Sequence, residues 1–235
     1  MDKKIIALVP AAGVGLRFGE LLPKQYLDLN GRPMIYHALA ALAAVPRISR
    51  IHVILAPDDH YWPRYDWPSW DGRLTTLHCG GKTRGESVLN GLTSFGGEVE
   101  ENNWVLVHDA ARPCIRPDLI ERLIDTLADD PVGGLLALPM SDTVKLANEL
   151  QRVDHTVTRE KLWRAQTPQM FRYGLLKSAL NRYLEVTDES QAIEILGGYT
   201  PQLVEGDSTN LKVTYAADMK IAGFLLRELE KGSPA

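Results

Sequence analysis

Short apolar runs, each followed by a stretch of helical periodicity, are what most restrict the folds open to this chain. Residues 5–9, 51–56, 74–79, 104–107 and 134–138 are brief runs dominated by valine, isoleucine, leucine and threonine, the pattern of strands buried on both faces. Between them, residues 33–44, 83–95 and 117–128 space their apolar side chains for a helix, two of the three with proline at the first position. This alternation predicts an α/β fold, a mostly parallel sheet flanked by helices. Ligands of such sheets lie beyond the carboxyl ends of the strands. The segments just after Val9 and Val107 are therefore where chemistry is expected.

At 235 residues the chain suits one such domain, expected over 1–235. The alternation changes at 139–160, where PMSDTVKLANELQRVDHTVTRE switches between polar and apolar residues around Asn148 and Glu149. That pattern predicts a protruding β-hairpin arm. Hairpins are marginal alone, so the arm is expected to pack against something else, most economically a second subunit. Beyond it, 173–185 and 190–196 are expected to be helical, and PQLVEG and NLKV to be short strands. AQTPQ is expected to be a loop carrying Thr167, and 215–231 an amphipathic last helix. Trp62, Trp67 and Trp70 in HYWPRYDWPSW are expected on a peripheral helix that tucks its rings against the domain.

Composition removes several classes of function. A net charge of −4 gives no global basic field for nucleic acid, so any phosphate site must be a local cluster. No stretch reaches about 18 apolar residues, so no membrane span is expected. The run after the first lysines is too short for a signal peptide. Cys79 and Cys114 stand in neither a metal nor a redox spacing. A cytoplasmic, reducing location is expected. His37, His52, His60, His78 and His155 match no metal spacing and are expected to be structural or solvent-facing.

Three segments carry candidate chemistry. In LVPAAGVGLRFGELLPKQY, Gly13 and Gly15 let backbone N–H groups approach an anion, Arg17 adds a planar fork and Lys24 a mobile point charge. Neither the dinucleotide fingerprint nor the P-loop fits, because Phe18 replaces the third glycine and Gly-Lys-Ser/Thr is absent. In GGKTRGESVLNGL, Gly80 and Gly81 can pass close to a flat base, and Thr83 or Ser87 can bond its edge or cap the helix. In WVLVHDAARP, Asp109 can hold Mg²⁺, directly or through water, or accept a substrate hydroxyl, and Arg112 can bind a second anion. A structural Asp109–Arg112 ion pair is the plainer alternative. Arg159, Thr167, Thr187, Asp188 and Lys212 are further polar candidates in the last third.

Taken in order, PAAGVGLRFGELLPKQY, GGKTRGESVLNGL, VHDAARP, SDTVK, TVTREKLWRAQTPQ, TDES and VEGDSTNLKVT resemble the motifs of the 2-C-methyl-D-erythritol 4-phosphate cytidylyltransferases. The resemblance runs from about residue 5 into the last helix. It departs at Phe18, where methionine is common, and at Lys82, where an acid can stand. It implies a Rossmann-like domain with a β-arm, Mg²⁺ or another divalent cation as cofactor, and a homodimer joined through the arms. The implied reaction joins CTP to a polyol phosphate and releases pyrophosphate. By the same resemblance Arg17 and Lys24 stabilise the transition state, while Arg159 and Lys212 position the sugar phosphate. The implied nucleotide contacts are Pro10, Ala11, Ala12, Gly13, Gly15, Gly81, Lys82, Ser87 and Asp109. The implied acceptor contacts are Asp109, Ala110, Arg112, Thr143, Arg159, Thr167, Thr187 and Lys212.

The chemistry suits that cation set. A phosphate monoester has its second pKa near about 6 and is already ionised at neutral pH. It needs no general base, only relief from repulsion by the triphosphate it attacks. A ribitol-phosphate cytidylyltransferase is the nearest alternative, since its motifs overlap. A nicotinamide-dependent dehydrogenase and a non-catalytic nucleotide sensor are the alternatives of other classes.

Overall fold

The computed structural model describes residues 4–13 and 22–232. From the N-terminus its elements are β1 (Ile5–Pro10), β2 (Asp28–Leu29), β3 (Arg32–Pro33), α1 (Met34–Ala43) and β4 (Ile48–Ile54). There follow β5 (Leu74–Leu77), α2 (Arg84–Ser94), β6 (Trp104–Val107), α3 (Pro117–Leu127) and β7 (Gly133–Pro139). The last third holds β8 (Val144–Ala147), β9 (Val153–Val157), β10 (Trp163–Arg172), α4 (Tyr173–Arg182), α5 (Glu189–Leu196), β11 (Gln202–Glu205) and α6 (Ala216–Gly232).

Seven strands form one sheet in the order β11-β7-β10-β6-β1-β4-β5. All neighbours are parallel except β10, which runs antiparallel between β6 and β7. The apolar runs alternate as period two demands. Ile5, Ala7 and Val9 of β1 face α1 and α3, while Ile6 and Leu8 face α2, α4 and α5. On α3, Leu119, Ile120, Leu123, Ile124 and Leu127 form one buried stripe behind Pro117 at the first position. A third cluster, with Leu29, Met34, Val213, Ala222 and Leu226, seats α6 near β2.

Four local expectations are corrected. Proline 33 ends β3 in extended conformation (φ −56°, ψ 139°) and precedes α1 rather than opening it. AQTPQ lies within β10, not in a loop, and a register shift between Ala165 and Gln169 interrupts its pairing with β7. NLKV pairs with no strand. Val213 instead donates its N–H to Ala111 O at 2.8 Å and buries its side chain below α6. Trp62 and Trp70 sit on two 3-10 turns, Trp62–Arg64 and Trp70–Gly72, with Trp67 in the loop between them, and all three pack partly buried against the α1 side of the core.

Among the described residues the arm strands β8 and β9 pair only with each other, antiparallel from Val144–Val157 to Ala147–Val153. Their apolar residues find little cover within the chain: Leu146 is 49% and Val153 63% exposed, and Leu150 at the tip 78%.

Candidate active site

The carboxyl ends of β1 and β6 meet the N-termini of α2 and α5, and two cavities open there. The larger, about 400 Å³, is bounded by the chain leaving β1 (Pro10 to Gly13), by Lys24 and Gln25, by Gly81 to Arg84 with Ser87, and by Asp109 to Ala111 and Lys212. The smaller, about 140 Å³, is walled by Arg112, Thr167, Gln169, Thr187 and Asp188. Arg84, Asp109 and Lys212 line both cavities and form the partition between them.

Each wall has a local cause. Ala11 N donates to Ile54 O at 2.8 Å, extending the β1–β4 pairing one residue past the strand and leaving Ala12 and Gly13 at the rim. Gly80 closes the opposite side. A Cβ there would strike Ala12 Cβ and stand 2.8 Å from Leu55 O, so only glycine permits this approach. Thr83 caps α2 by accepting from Glu86 N at 3.1 Å, while Glu86 Oε2 accepts from Lys82 N at 2.7 Å. Ser87 is occupied at both ends of its hydroxyl, donating to Thr83 O and accepting from Gly81 N. The serine thus shapes the loop that the notional base would lie against.

Residues 24–26 are pinned at three points. Lys24 Nζ donates to Val213 O at 2.8 Å, and Gln25 Nε2 to Ala11 O at 2.7 Å. Tyr26 donates its hydroxyl to Asp59 Oδ2 at 2.8 Å and stacks on Tyr65, with ring centroids 5.6 Å apart. The aromatic segment after β4 is therefore a support for the segment that carries Lys24.

Asp109 is the electrostatic centre. Arg84 Nε lies 2.8 Å from Oδ1, and Lys212 Nζ 2.8 Å from Oδ2. Burial alone would raise its pKa, but Arg84, Lys212 and Arg112 outweigh it and hold the carboxylate ionised far below its ordinary range. Arg112 is a lesser partner at 3.9 Å. It donates instead to the carbonyls of Asn210 (2.7 Å) and Ala165 (3.3 Å), so the simple Asp109–Arg112 pair does not describe the site. Burial lowers the pKa of this guanidinium.

His108, fully buried beside Asp109, is no base. Its Nε2 faces Arg112 O at 3.2 Å, which can only accept, so Nε2 carries the proton. Nδ1 then accepts from the Thr167 hydroxyl at 3.1 Å, and the same oxygen accepts the Asp109 N–H at 3.0 Å. Burial pulls this imidazole down to about 4, and it stays neutral. Thr167 thereby fixes Asp109 from β10, the strand that sequence reasoning had taken for a loop.

Of the candidates named from sequence, Pro10, Ala11, Ala12, Gly13, Lys24, Gly81, Lys82, Ser87, Asp109, Ala110 and Lys212 line the larger cavity. Arg112, Thr167 and Thr187 line the smaller one. Gly15 and Arg17 lie outside the described residues. Thr143 and Arg159 are not in either cavity: they stand exposed at the root of the arm, where Arg159 Nη1 donates to Ser141 O. Both oxygens of Asp109 are ion-paired, one to Arg84 and the other to Lys212. Among the described residues no three His, Cys, Asp or Glu side chains gather as a metal site. Sequence reasoning missed Arg84, Gln169, Glu189 and Asn210. Asn210 is fully buried and donates to Thr167 O at 2.8 Å.

The family model described as 2-C-methyl-D-erythritol 4-phosphate cytidylyltransferase matches residues 5–228. A protein of that name from Dechloromonas aromatica (strain RCB) is 58% identical over 221 residues, 94% of this chain and 96% of the relative. A solved structure titled 4-diphosphocytidyl-2C-methyl-D-erythritol synthase superposes with a TM-score of 0.84 at 36% identity, covering 96% of this chain and 99% of that one. The Francisella tularensis 2-C-methyl-D-erythritol 4-phosphate cytidylyltransferase gives 0.78 at 32% identity over 94% of this chain and 99% of its own. With sequence and fold alike over nearly their whole lengths, the chain belongs to the 2-C-methyl-D-erythritol 4-phosphate cytidylyltransferase family.

Proposed function

We propose that the two adjoining cavities divide the substrates of one cytidylyl transfer, CTP in the larger and a sugar-alcohol phosphate in the smaller. The reaction of the family is the joining of CTP and 2-C-methyl-D-erythritol 4-phosphate to give 4-diphosphocytidyl-2-C-methyl-D-erythritol and pyrophosphate, a step of non-mevalonate isoprenoid synthesis. The family name does not favour ribitol phosphate as acceptor. One observation carries the division: Arg84, Asp109 and Lys212 form a partition common to both cavities, which is where two phosphorylated molecules would meet.

On this reading the acceptor phosphate attacks as its own nucleophile. The only histidine next to Asp109 is neutral, buried and engaged at both nitrogens, so no group in the partition acts as general base. Lys24, held at the rim by Val213 O, would face the α-phosphate, where charge builds during in-line attack, and the family resemblance gives the same role to Arg17, which lies outside the described residues. Lys212 and Arg112 draw the incoming phosphate against the partition. Positioning and electrostatics then supply the catalysis.

A divalent cation, magnesium by the family resemblance, would be held chiefly by the substrate phosphates, with Asp109, its two oxygens ion-paired to Arg84 and Lys212, meeting it through water, and it would neutralise charge on the departing pyrophosphate. The arm supports a homodimer: Thr143 and Arg159 lie at its root away from the cavities of their own chain, and Leu146, Leu150 and Val153 are exposed along it. Seated on a second copy, Arg159 would reach that copy's acceptor cavity. Two unpaired cysteines support a reducing cytoplasm, and no helix among the described residues is long and apolar enough to cross a membrane.

A pyrophosphate-release assay crossing CTP, ATP, GTP and UTP with methylerythritol phosphate and ribitol phosphate tests the whole. Release only with CTP and methylerythritol phosphate is expected. Equal release with ribitol phosphate, or none with either acceptor, would overturn it.

A further inference from the structure

Arg84 divides its donors between two carboxylates. Nε bonds Asp109 Oδ1 at 2.8 Å, and Nη1 bonds Glu189 Oε1 at 2.5 Å. Both residues stand at the first position of a helix, Arg84 on α2 and Glu189 on α5, and Glu189 is 1% exposed. Strand β10 sets the glutamate there. Gln169 Oε1 accepts the Ser190 N–H at 2.9 Å, and Gln169 Nε2 donates to Asp188 Oδ2 at 3.0 Å. Asp188 in turn caps α5 by accepting from Gln191 N at 3.0 Å.

Arginine–carboxylate pairs frequently meet fork to fork, with two parallel N–H···O bonds. This one does not. Arg84 Nη2 and Glu189 Oε2 are both buried with no hydrogen-bond partner among the described residues. Native structures rarely leave such groups, and each calls for a reason. The split fork supplies one: it ties the nucleotide loop before α2, the carboxylate beyond β6 and the start of α5 to a single rigid plane.

We infer that Glu189 and Arg84 are a positioning pair for the acceptor side of the site. Glu189 holds Arg84, Arg84 holds one oxygen of Asp109, and the other oxygen sets where Lys212 points. This rests on the proposed role of Lys212 toward the acceptor phosphate. In this role both residues act through Asp109 and Lys212 and not on the reacting atoms themselves. Without the fork, Asp109 turns both oxygens toward Lys212 and Arg112, and the ammonium is drawn away from the incoming phosphate.

The test is steady-state kinetics on the full-length protein with CTP and methylerythritol phosphate, for wild type, Glu189→Gln, Arg84→Lys and the double variant. Calorimetric CTP binding reports the state of the fold and of the nucleotide cavity. Lysine cannot bridge two carboxylates as a planar fork, and glutamine keeps the shape of the glutamate without its charge. Each single variant should raise the acceptor KM about tenfold while CTP affinity stays within about threefold, and the double variant should be no worse than the poorer single. Acceptor KM values equal to wild type overturn the inference. So do parallel losses for both substrates, or losses that simply multiply in the double variant, since those describe general structural damage. An active wild type with unaffected variants sinks the pair alone, whereas an inert wild type sinks the proposed function and the pair with it.

Discussion

The Lys212 ammonium lies 2.8 Å from Asp109 Oδ2, with 44% of the lysine side chain exposed against 9% of the aspartate side chain. A half-exposed cation is thus leashed to a buried anion at the edge of the smaller cavity, free on one side to meet a second negative group. Lys24 is held differently, through a backbone carbonyl at the rim of the larger cavity.

The two lysines should therefore fail in different ways. Lys212→Ala is expected to raise the acceptor KM and slow turnover, with CTP affinity little changed. Lys24→Ala is expected to cut kcat by about a hundredfold to a thousandfold, the loss typical when one preorganised donor to a developing charge is removed. Measuring kcat and both KM values for each variant checks this. An Lys212→Ala enzyme that saturates with acceptor like wild type rules out the clamp.

Two glycines beside the same cavity separate steric need from ligand contact. Among the described residues a Cβ at Gly13 meets no atom within 4 Å, whereas one at Gly80 meets Ala12 and Leu55. Gly80→Ala should lower the melting temperature and weaken CTP binding together. Gly13→Ala should leave the melting temperature unchanged yet weaken CTP at least about tenfold, because the methyl group enters space held for phosphate oxygens. Undiminished CTP binding by a well-folded Gly13→Ala protein would move the triphosphate elsewhere.

How much of this was legible beforehand depended on which force fixed each element. Strands β1 and β6 are apolar on both faces, so hydrophobic periodicity announced them and the ligand-bearing ends that follow. Strand β10 was hidden because Gln166, Thr167 and Gln169 occupy it, polar residues that are 6%, 4% and 1% exposed. They are buried because Asn210, Asp109 and Asp188 complete their hydrogen bonds, and nothing local in AQTPQ reveals such partners. Leu211 and Val213 mimic a strand through simple alternation, but Val213 is drawn under α6 and no sheet edge lies alongside. Arg84 and Glu189 are 105 residues apart, and each alone looks like an ordinary charge in the first turn of a helix.

Acid should weaken the fold before it reaches the carboxylates. Burial pulls both His108 and His52 down to about 4, below the value of about 6.5 in an unfolded chain. Between those values the unfolded chain binds more protons, so stability falls as pH falls, by up to about 1.4 kcal/mol per pH unit for each histidine. His52 lines neither cavity of the active site; its ring lies tilted at 45° to Phe95 with centroids 4.9 Å apart, and its Nδ1 has no hydrogen-bond partner among the described residues. His52→Phe should flatten the slope of unfolding free energy between pH 6.5 and 4, read by urea titration, while pyrophosphate release stays at the wild-type rate. An unaltered slope would show that His52 does not titrate with unfolding.

The arm makes the last prediction. Arg159 stands at its root, outside the cavities that Lys24 and Lys212 line in the same chain. If each arm completes the neighbour's acceptor cavity, a dimer of one Lys24→Ala and one Arg159→Ala subunit holds one site with both defects and one with neither. Statistical exchange in an equal mixture makes half the dimers mixed, so about a quarter of all sites regain wild-type composition. Each variant alone should be nearly inactive, and the mixture, after mild denaturation and refolding together, should recover about a quarter of wild-type turnover. The recovery requires that the arms cross, because in a chain that uses its own Arg159 every subunit of the mixture stays defective. Mass spectrometry that finds mixed dimers without regained activity would confine Arg159 to its own subunit.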